Sequence, residues 1–184
     1  MLRFAELVRA FIARKELAGV WSPDAGLAVC AVRGGEPPVL AVNGLRERDR
    51  RLPVTPRTLF EIGSLTKAFT ATALLMAREK GLDLEQPINS AEDLLPFKDP
   101  AISSAVTILD VLSHRTGLPA NDLLWYFNAL NPGEVLRAVR NLDGIPGGFR
   151  REFIYNNLAY GALGHLFPKL LGDTWRTLRI GGDG

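Results

Sequence analysis

The 184-residue sequence has one cysteine, two histidines and almost no excess of charge, with 22 Lys and Arg against 20 Asp and Glu. A lone cysteine rules out an internal disulfide and leaves the redox compartment open. Cys30 sits in the apolar run Leu27-Ala28-Val29-Cys30-Ala31-Val32 and is expected to be a buried structural thiol. His114 and His165 show no metal-ligand spacing, so both are read as structural and no metal or cofactor is expected. A net charge of +2 gives no reason to expect a polyanionic partner. The cluster Arg46-Glu47-Arg48-Asp49-Arg50-Arg51 alternates in sign and reads as a solvated turn, not a nucleic-acid patch. No apolar run reaches the length of a membrane span. Near the N-terminus, Phe4, Leu7, Val8, Phe11 and Ile12 follow helical spacing with charges between them, unlike the core of a secretion signal. An amphipathic helix on a cytoplasmic protein is expected.

The rest of the composition is that of a folded chain, 47% hydrophobic and 23% charged. One domain over 1–177 is expected, with a tail at 178–184 that should fray. Residues 26–33 and 38–43 read as strands joined by a turn at Gly34-Gly35-Glu36-Pro37. An extended lead-in over 53–62 precedes a helix that Gly81 should end as its C′ residue. Residues 87–100 read as irregular. Thr107 and Asp110 have the spacing of a capping box, opening a short helix to His114. Helical patterns follow near 121–130, 132–141 and 158–171, with a glycine-rich loop at 144–148.

Against this background one stretch carries chemistry. Ser64 opens a helix that is apolar or small almost all round, and Lys67 is its only charge before Arg78. Such a helix is expected to be buried, and a buried ammonium is retained only with a partner or a function. Three residues apart on a helix, Ser64 and Lys67 share a face and can exchange a proton. A helix start also offers free N–H groups where an oxyanion would form. The spacing alone is weak, since a capping serine and a solvated lysine share it.

Further along, Asp110-Val111-Leu112-Ser113-His114-Arg115-Thr116-Gly117-Leu118-Pro119 and Tyr155-Asn156-Asn157 complete a pattern. Together with Phe60-Glu61-Ile62-Gly63-Ser64-Leu65-Thr66-Lys67, these segments resemble the serine β-lactamase and penicillin-binding-protein superfamily. The similar branch holds class C β-lactamases, D-alanyl-D-alanine carboxypeptidase-like enzymes and β-lactamase-fold esterases. The resemblance runs from about residue 4 to about 177. It implies an α+β fold, of which this chain is the front part: an N-terminal helix, antiparallel strands and a helical subdomain, with the sheet incomplete.

The resemblance also implies roles. Ser64 would be the acylated nucleophile, Lys67 its proton partner and Tyr155 the general base, while Asn157 would orient Lys67 and bind the substrate carbonyl. The partner would be a small-molecule ester, peptide or β-lactam; no nucleic acid or membrane is implied, and oligomeric state is left open. Two motif look-alikes are set aside: Tyr126-Phe127-Asn128 lacks the following apolar helix, and Arg115-Thr116-Gly117 precedes Tyr155, where the family's third motif comes well after it. No Lys-Thr-Gly or His-x-Gly follows residue 157. The expectation is therefore a C-terminally truncated serine hydrolase whose activity in the 184-residue form turns on that absent segment. A second reading stands beside it: a non-catalytic remnant or interaction protein that keeps the motifs.

Overall fold

A computed structural model of the chain describes residues 4, 6, 7, 10, 11, 22, 24–126 and 130–172. The expected tail at 178–184, Phe127 and Asn128 of the second Tyr-x-Asn match, and most of the expected first helix lie outside these residues. Helical backbone is described at Phe4, Glu6, Leu7, Ala10 and Phe11. Two compact units divide the chain, Met1–Glu61 and Ile62–Gly184.

The first unit holds two small antiparallel sheets. β1 (Leu27–Ala31) pairs with β2 (Val39–Asn43), Leu27 facing Asn43 and Ala31 facing Val39. β3 (Leu45–Glu47) pairs with β4 (Leu52–Pro53) around the arginine-rich turn, where Arg51 has φ +49°. Gly44 joins β2 to β3 at φ +74°, and a Cβ there would lie 1.9 Å from the Ala25 carbonyl oxygen. Only glycine fits that close backbone approach. Cys30 departs from expectation, because it is exposed. Along β1 the half-buried residues are Leu27, Val29 and Ala31, while Ala28 and Cys30 point the other way. An unbroken apolar run does not say which face of a strand is covered; the two-residue period does.

The second unit is helical. A single 3-10 turn, Gly63–Leu65, leads into α1 (Thr66–Arg78). The helix ends at its C-cap Glu79, so Gly81 stands two residues beyond the cap, one later than expected; its φ of +103° lets Leu82 N–H return to the Ala77 carbonyl. α2 (Pro100–Ala105) starts with Asp99 accepting from Ala101 and Ile102 N–H. α3 (Ile108–Leu112) is opened by the Thr107–Asp110 capping box, both reciprocal bonds being made. α4 (Leu123–Tyr126) is short, and α5 (Pro132–Asn141) carries a second capping box between Asn131 and Glu134. α6 (Asn157–Leu171) is the central helix, burying Leu158, Ala159, Ala162, Leu163 and Leu166. None of the described helices is long and apolar enough to cross a membrane.

The core of this unit gathers Leu74, Leu95, Val106, Val111, Leu118, Val139, Leu158 and Leu163, each at most 2% exposed. Burying a side chain of that size contributes roughly 1.5–3 kcal/mol. α1 enters the core along one stripe only, Ala73, Leu74 and Ala77; Phe69 and Leu75 stand 50–51% exposed, and Leu65, in the turn before the helix, 70%. The expected all-round burial is therefore not found among the described residues, and Lys67 itself is half-buried.

An ion pair with a buried carboxylate and a half-exposed guanidinium fixes the segment that will carry the site. Arg150, in a left-handed conformation at φ +60°, donates to both carboxylate oxygens of Asp110 at 2.8–3.1 Å and to the Ala105 carbonyl. Burial would push the Asp110 carboxyl up, but the bonds from Arg150 and Thr107 outweigh it and hold the group below its ordinary value of 3.8. A depressed carboxyl stabilises the fold above 3.8 and loses that contribution as pH falls through its native value. Arg150→Ala should cost about 2 kcal/mol near neutrality, less than a fully buried pair because the guanidinium is half exposed. In denaturant titrations the gap to the unsubstituted protein should shrink as the pH falls below 4, since a protonated Asp110 no longer needs a cation.

Candidate active site

Local rules place each component. The 3-10 turn puts Ser64 at the mouth of α1, and one helical turn later Lys67 lies over it. Across the unit, Asn156 caps α6: its Oδ1 accepts from Ala159 N–H at 2.7 Å while its Nδ2 donates to the Pro119 carbonyl at 2.7 Å. The cap is 1% exposed. Its two neighbours, Tyr155 and Asn157, are thereby fixed on either side of the helix start.

The segment 114–118 runs alongside 145–156. Arg150 N–H donates to the Arg115 carbonyl, Ile154 N–H to the His114 carbonyl, and Ile145 N–H to the Gly117 carbonyl. Gly117, at φ +74°, is a loop residue whose absent Cβ would sit 2.8 Å from Phe149 N. His114 also departs from ordinary backbone, at φ +57°. Its Nδ1 accepts from Asn156 N–H at 3.1 Å, and its ring lies 4.5 Å from that of Tyr155 and 5.2 Å from that of Tyr160. Strain of this kind persists where surrounding bonds over-determine it.

Four sequence-predicted residues meet here. Tyr155 Oη donates to Ser64 Oγ at 2.7 Å, and Lys67 Nζ donates to Ser64 Oγ at 3.2 Å and to Asn157 Oδ1 at 2.6 Å. Lys67 Nζ also stands 4.7 Å from the centre of the Tyr155 ring. Hydrogen bonding toward Lys67 and then toward Ser64 holds the Tyr155 phenol below its ordinary value of 10.0. Tyr160 goes the other way. Burial, then the neighbouring Tyr155, pushes it up, and its neutral hydroxyl donates to the Lys67 carbonyl at 3.1 Å. Two phenols within one cluster are thus driven apart, the exposed one toward the anion and the buried one away from it.

Other residues join the cluster that were given no role from the sequence. His114, read as structural, forms the floor beneath Tyr155; burial and then the Lys67 charge hold it below 6.5, so it stays a neutral acceptor. Asp122 accepts from Asn157 Nδ2 at 3.1 Å. Asn156 could have been found, since an asparagine just before an apolar helix is a capping signal. Beside Ser64 opens a cleft of about 630 Å3 whose lining includes Thr70, Val135, Leu158, Gly161 and Gly164. A Cβ on either glycine would meet nothing within 4 Å. Among the described residues no three His, Cys, Asp or Glu side chains gather to hold a metal.

A serine hydroxyl flanked by an ammonium and a phenol, at the mouth of one helix and the start of another, defines a class of site that comparison with known proteins identifies. The family described as beta-lactamase matches residues 12–178, and the chain belongs to it. A beta-lactamase from Providencia stuartii is 32% identical over 138 residues, which are 70% of this chain and 32% of that protein. The unguisins hydrolase ungD of Aspergillus violaceofuscus is 32% identical over 144 residues, 73% of this chain and 25% of that protein. The class C beta lactamase of Rhodobacter sphaeroides superposes with a TM-score of 0.66 at 28% identity, covering 92% of this chain and 46% of that one. The octameric penicillin-binding protein homologue from Pyrococcus abyssi gives 0.70 at 29% identity, covering 91% and 39%. The fold is therefore the front part of the α+β fold of these neighbours. The chain spans a quarter to a third of the length of these two curated relatives and under half of these two solved structures.

Two stability outcomes follow from this geometry. Gly161→Ala should raise the unfolding free energy by about 0.5–1 kcal/mol, because a mid-helix glycine costs entropy and the new methyl meets open space. With His114 depressed below 6.5, the unfolded chain takes up its proton before the native state does, so that contribution to stability is full above 6.5 and lost as pH falls toward the native value. Denaturant unfolding of His114→Gln between pH 5 and 8 should show a flatter dependence on pH than the unsubstituted protein.

Proposed function

We propose that this chain carries the acylation site of a serine hydrolase acting on a small-molecule ester, amide or β-lactam carbonyl. The observation that supports it is the convergence of Tyr155 Oη and Lys67 Nζ on Ser64 Oγ, at 2.7 and 3.2 Å. Hydrogen bonding toward Lys67 and Ser64 holds the phenol below its ordinary value of 10.0, which favours the phenolate that accepts the hydroxyl proton. Ser64 Oγ then bonds to the carbonyl carbon, and the carbonyl π pair moves onto oxygen beside the N–H groups at the start of α1. Collapse of that adduct breaks the bond to the leaving group, which takes the proton back from Tyr155 directly or through Lys67. A water, deprotonated by the same phenolate, then bonds to the acyl carbon; the carbon–Oγ bond breaks, the acid is released, and Ser64 Oγ takes the proton back from Tyr155.

Asn157 has two tasks in this reading. Its oxygen anchors Lys67, and of its two amide N–H groups one donates to Asp122 and the other is left for a carbonyl of the bound substrate. The relatives support the reaction class: one is a beta-lactamase and another a hydrolase of unguisins.

Intact-mass spectrometry after exposure to a fluorophosphonate, and separately to a penicillin, tests the proposal. A single adduct should form and be lost in Ser64→Ala. Tyr155→Phe should slow labelling by about 10²–10⁴-fold, the usual share of a general base. A folded chain that takes no adduct would favour the second reading, motifs kept without catalysis.

A further inference from the structure

Asn157 lies between opposite charges. Lys67 Nζ donates to its Oδ1 at 2.6 Å and Asp122 Oδ1 accepts from its Nδ2 at 3.1 Å. An ammonium has only donors and a carboxylate only acceptors. The amide therefore has one satisfactory orientation: turned over, it would set N–H against ammonium and oxygen against carboxylate, forfeiting two charge-assisted bonds. Lys67 alone would favour the same orientation, but its ammonium is on a flexible stem and has other places to go, over the Tyr155 ring or onto Ser64. Asp122, on the turn before α4, grips the other end of the amide.

We propose that Asp122 is a positioning residue of this site, holding the Asn157 amide so that its oxygen keeps Lys67 directed at Ser64. The proposal rests on the reading of Ser64 and Lys67 given above. One Asn157 N–H is spent on Asp122, so only the other remains for a bound substrate, and the group it meets there must be an acceptor. The carboxylate has a second effect through space. Tyr155 is faced by Lys67 from α1, by His114 from the turn after α3, by Tyr160 from α6 and by Asp122; of these, Asp122 is the anion, and it opposes the lowering that Lys67 imposes.

The two effects separate by substitution. Asp122→Leu removes acceptor and charge; Asp122→Asn removes the charge but keeps an oxygen for Asn157 Nδ2. Fluorophosphonate labelling of Ser64 should slow about ten- to a hundredfold in Asp122→Leu, the worth of a hydrogen bond to a charged group, and recover most of its rate in Asp122→Asn. In ¹H–¹⁵N spectra, the Asn157 side-chain amide signals, assigned with Asn157→Asp, should move in Asp122→Leu and stay near their original place in Asp122→Asn. The ultraviolet titration of Tyr155, taken against Tyr155→Phe, should shift to lower pH in Asp122→Asn. Circular dichroism and thermal unfolding confirm that both variants fold.

Unchanged Asn157 signals together with an unchanged labelling rate in Asp122→Leu would overturn the proposal. So would Asp122→Asn labelling as slowly as Asp122→Leu. If the unsubstituted protein takes no label, the catalytic reading fails by itself, and the amide spectra and the Tyr155 titration still decide whether Asp122 holds Asn157.

Discussion

The second unit depends on how the 114–118 and 145–156 segments are held together. His114 supplies three of the ties: its carbonyl accepts from Ile154, its Nδ1 accepts from Asn156, and its ring supports Tyr155 from below. The bond from Asn156 needs Nδ1 unprotonated, and the left-handed backbone of His114 sets the carbonyl and the ring in place together. Arg115 adds a fourth, its guanidinium donating to the Arg150 carbonyl, while Arg150 reaches back to Asp110 in α3. Tyr155 is therefore delivered to Ser64, 91 residues away in sequence, by loop backbone tied at both ends, with no strand or helix of its own.

The chemistry follows from charges placed in series. Asp122, Asn157, Lys67, Ser64 and Tyr155 form one line in which every hydrogen bond has a single sensible direction at the anionic end. The bond at the opposite end, between the serine hydroxyl and the phenol, is the reversible one, since either oxygen can donate. Tyr160, buried and kept neutral, closes the side of the cluster nearest the core.

What could be read from the sequence was whatever local spacing encodes. Ser64 and Lys67 three apart, the Thr107–Asp110 box, the hairpin strands near 27–31 and 39–43, and the helices at 132–141 and 157–171 are all short-range patterns, and the structure holds them close to the expected bounds. Four features were not legible. Cys30 faces outward because strand phase, not apolarity, sets its side; α2 hides in a proline-flanked stretch; the short β3–β4 ladder was read only as its turn; and α1 is covered on one face. Asp122 and His114 escaped for a different reason. Their contacts join residues 35 and 42 positions apart through a left-handed backbone and a polar turn, and neither leaves a periodic trace. The comparisons fix the family, while the work assigned to each side chain rests on the geometry of the cluster.

The distance in sequence between Ser64 and Tyr155 has a consequence for anyone handling the protein. On the proposed reading, Ser64 draws its general base from the far end of the unit, so a molecule whose loops have come apart would lose most of its reactivity even if α1 and Lys67 persist. Covalent capture at Ser64 would then count assembled molecules one by one. In a mixture of intact and partly opened chains, the reacted fraction would serve as a census of native tertiary structure, and its decay under stress would time the opening of the 114–156 region ahead of global melting.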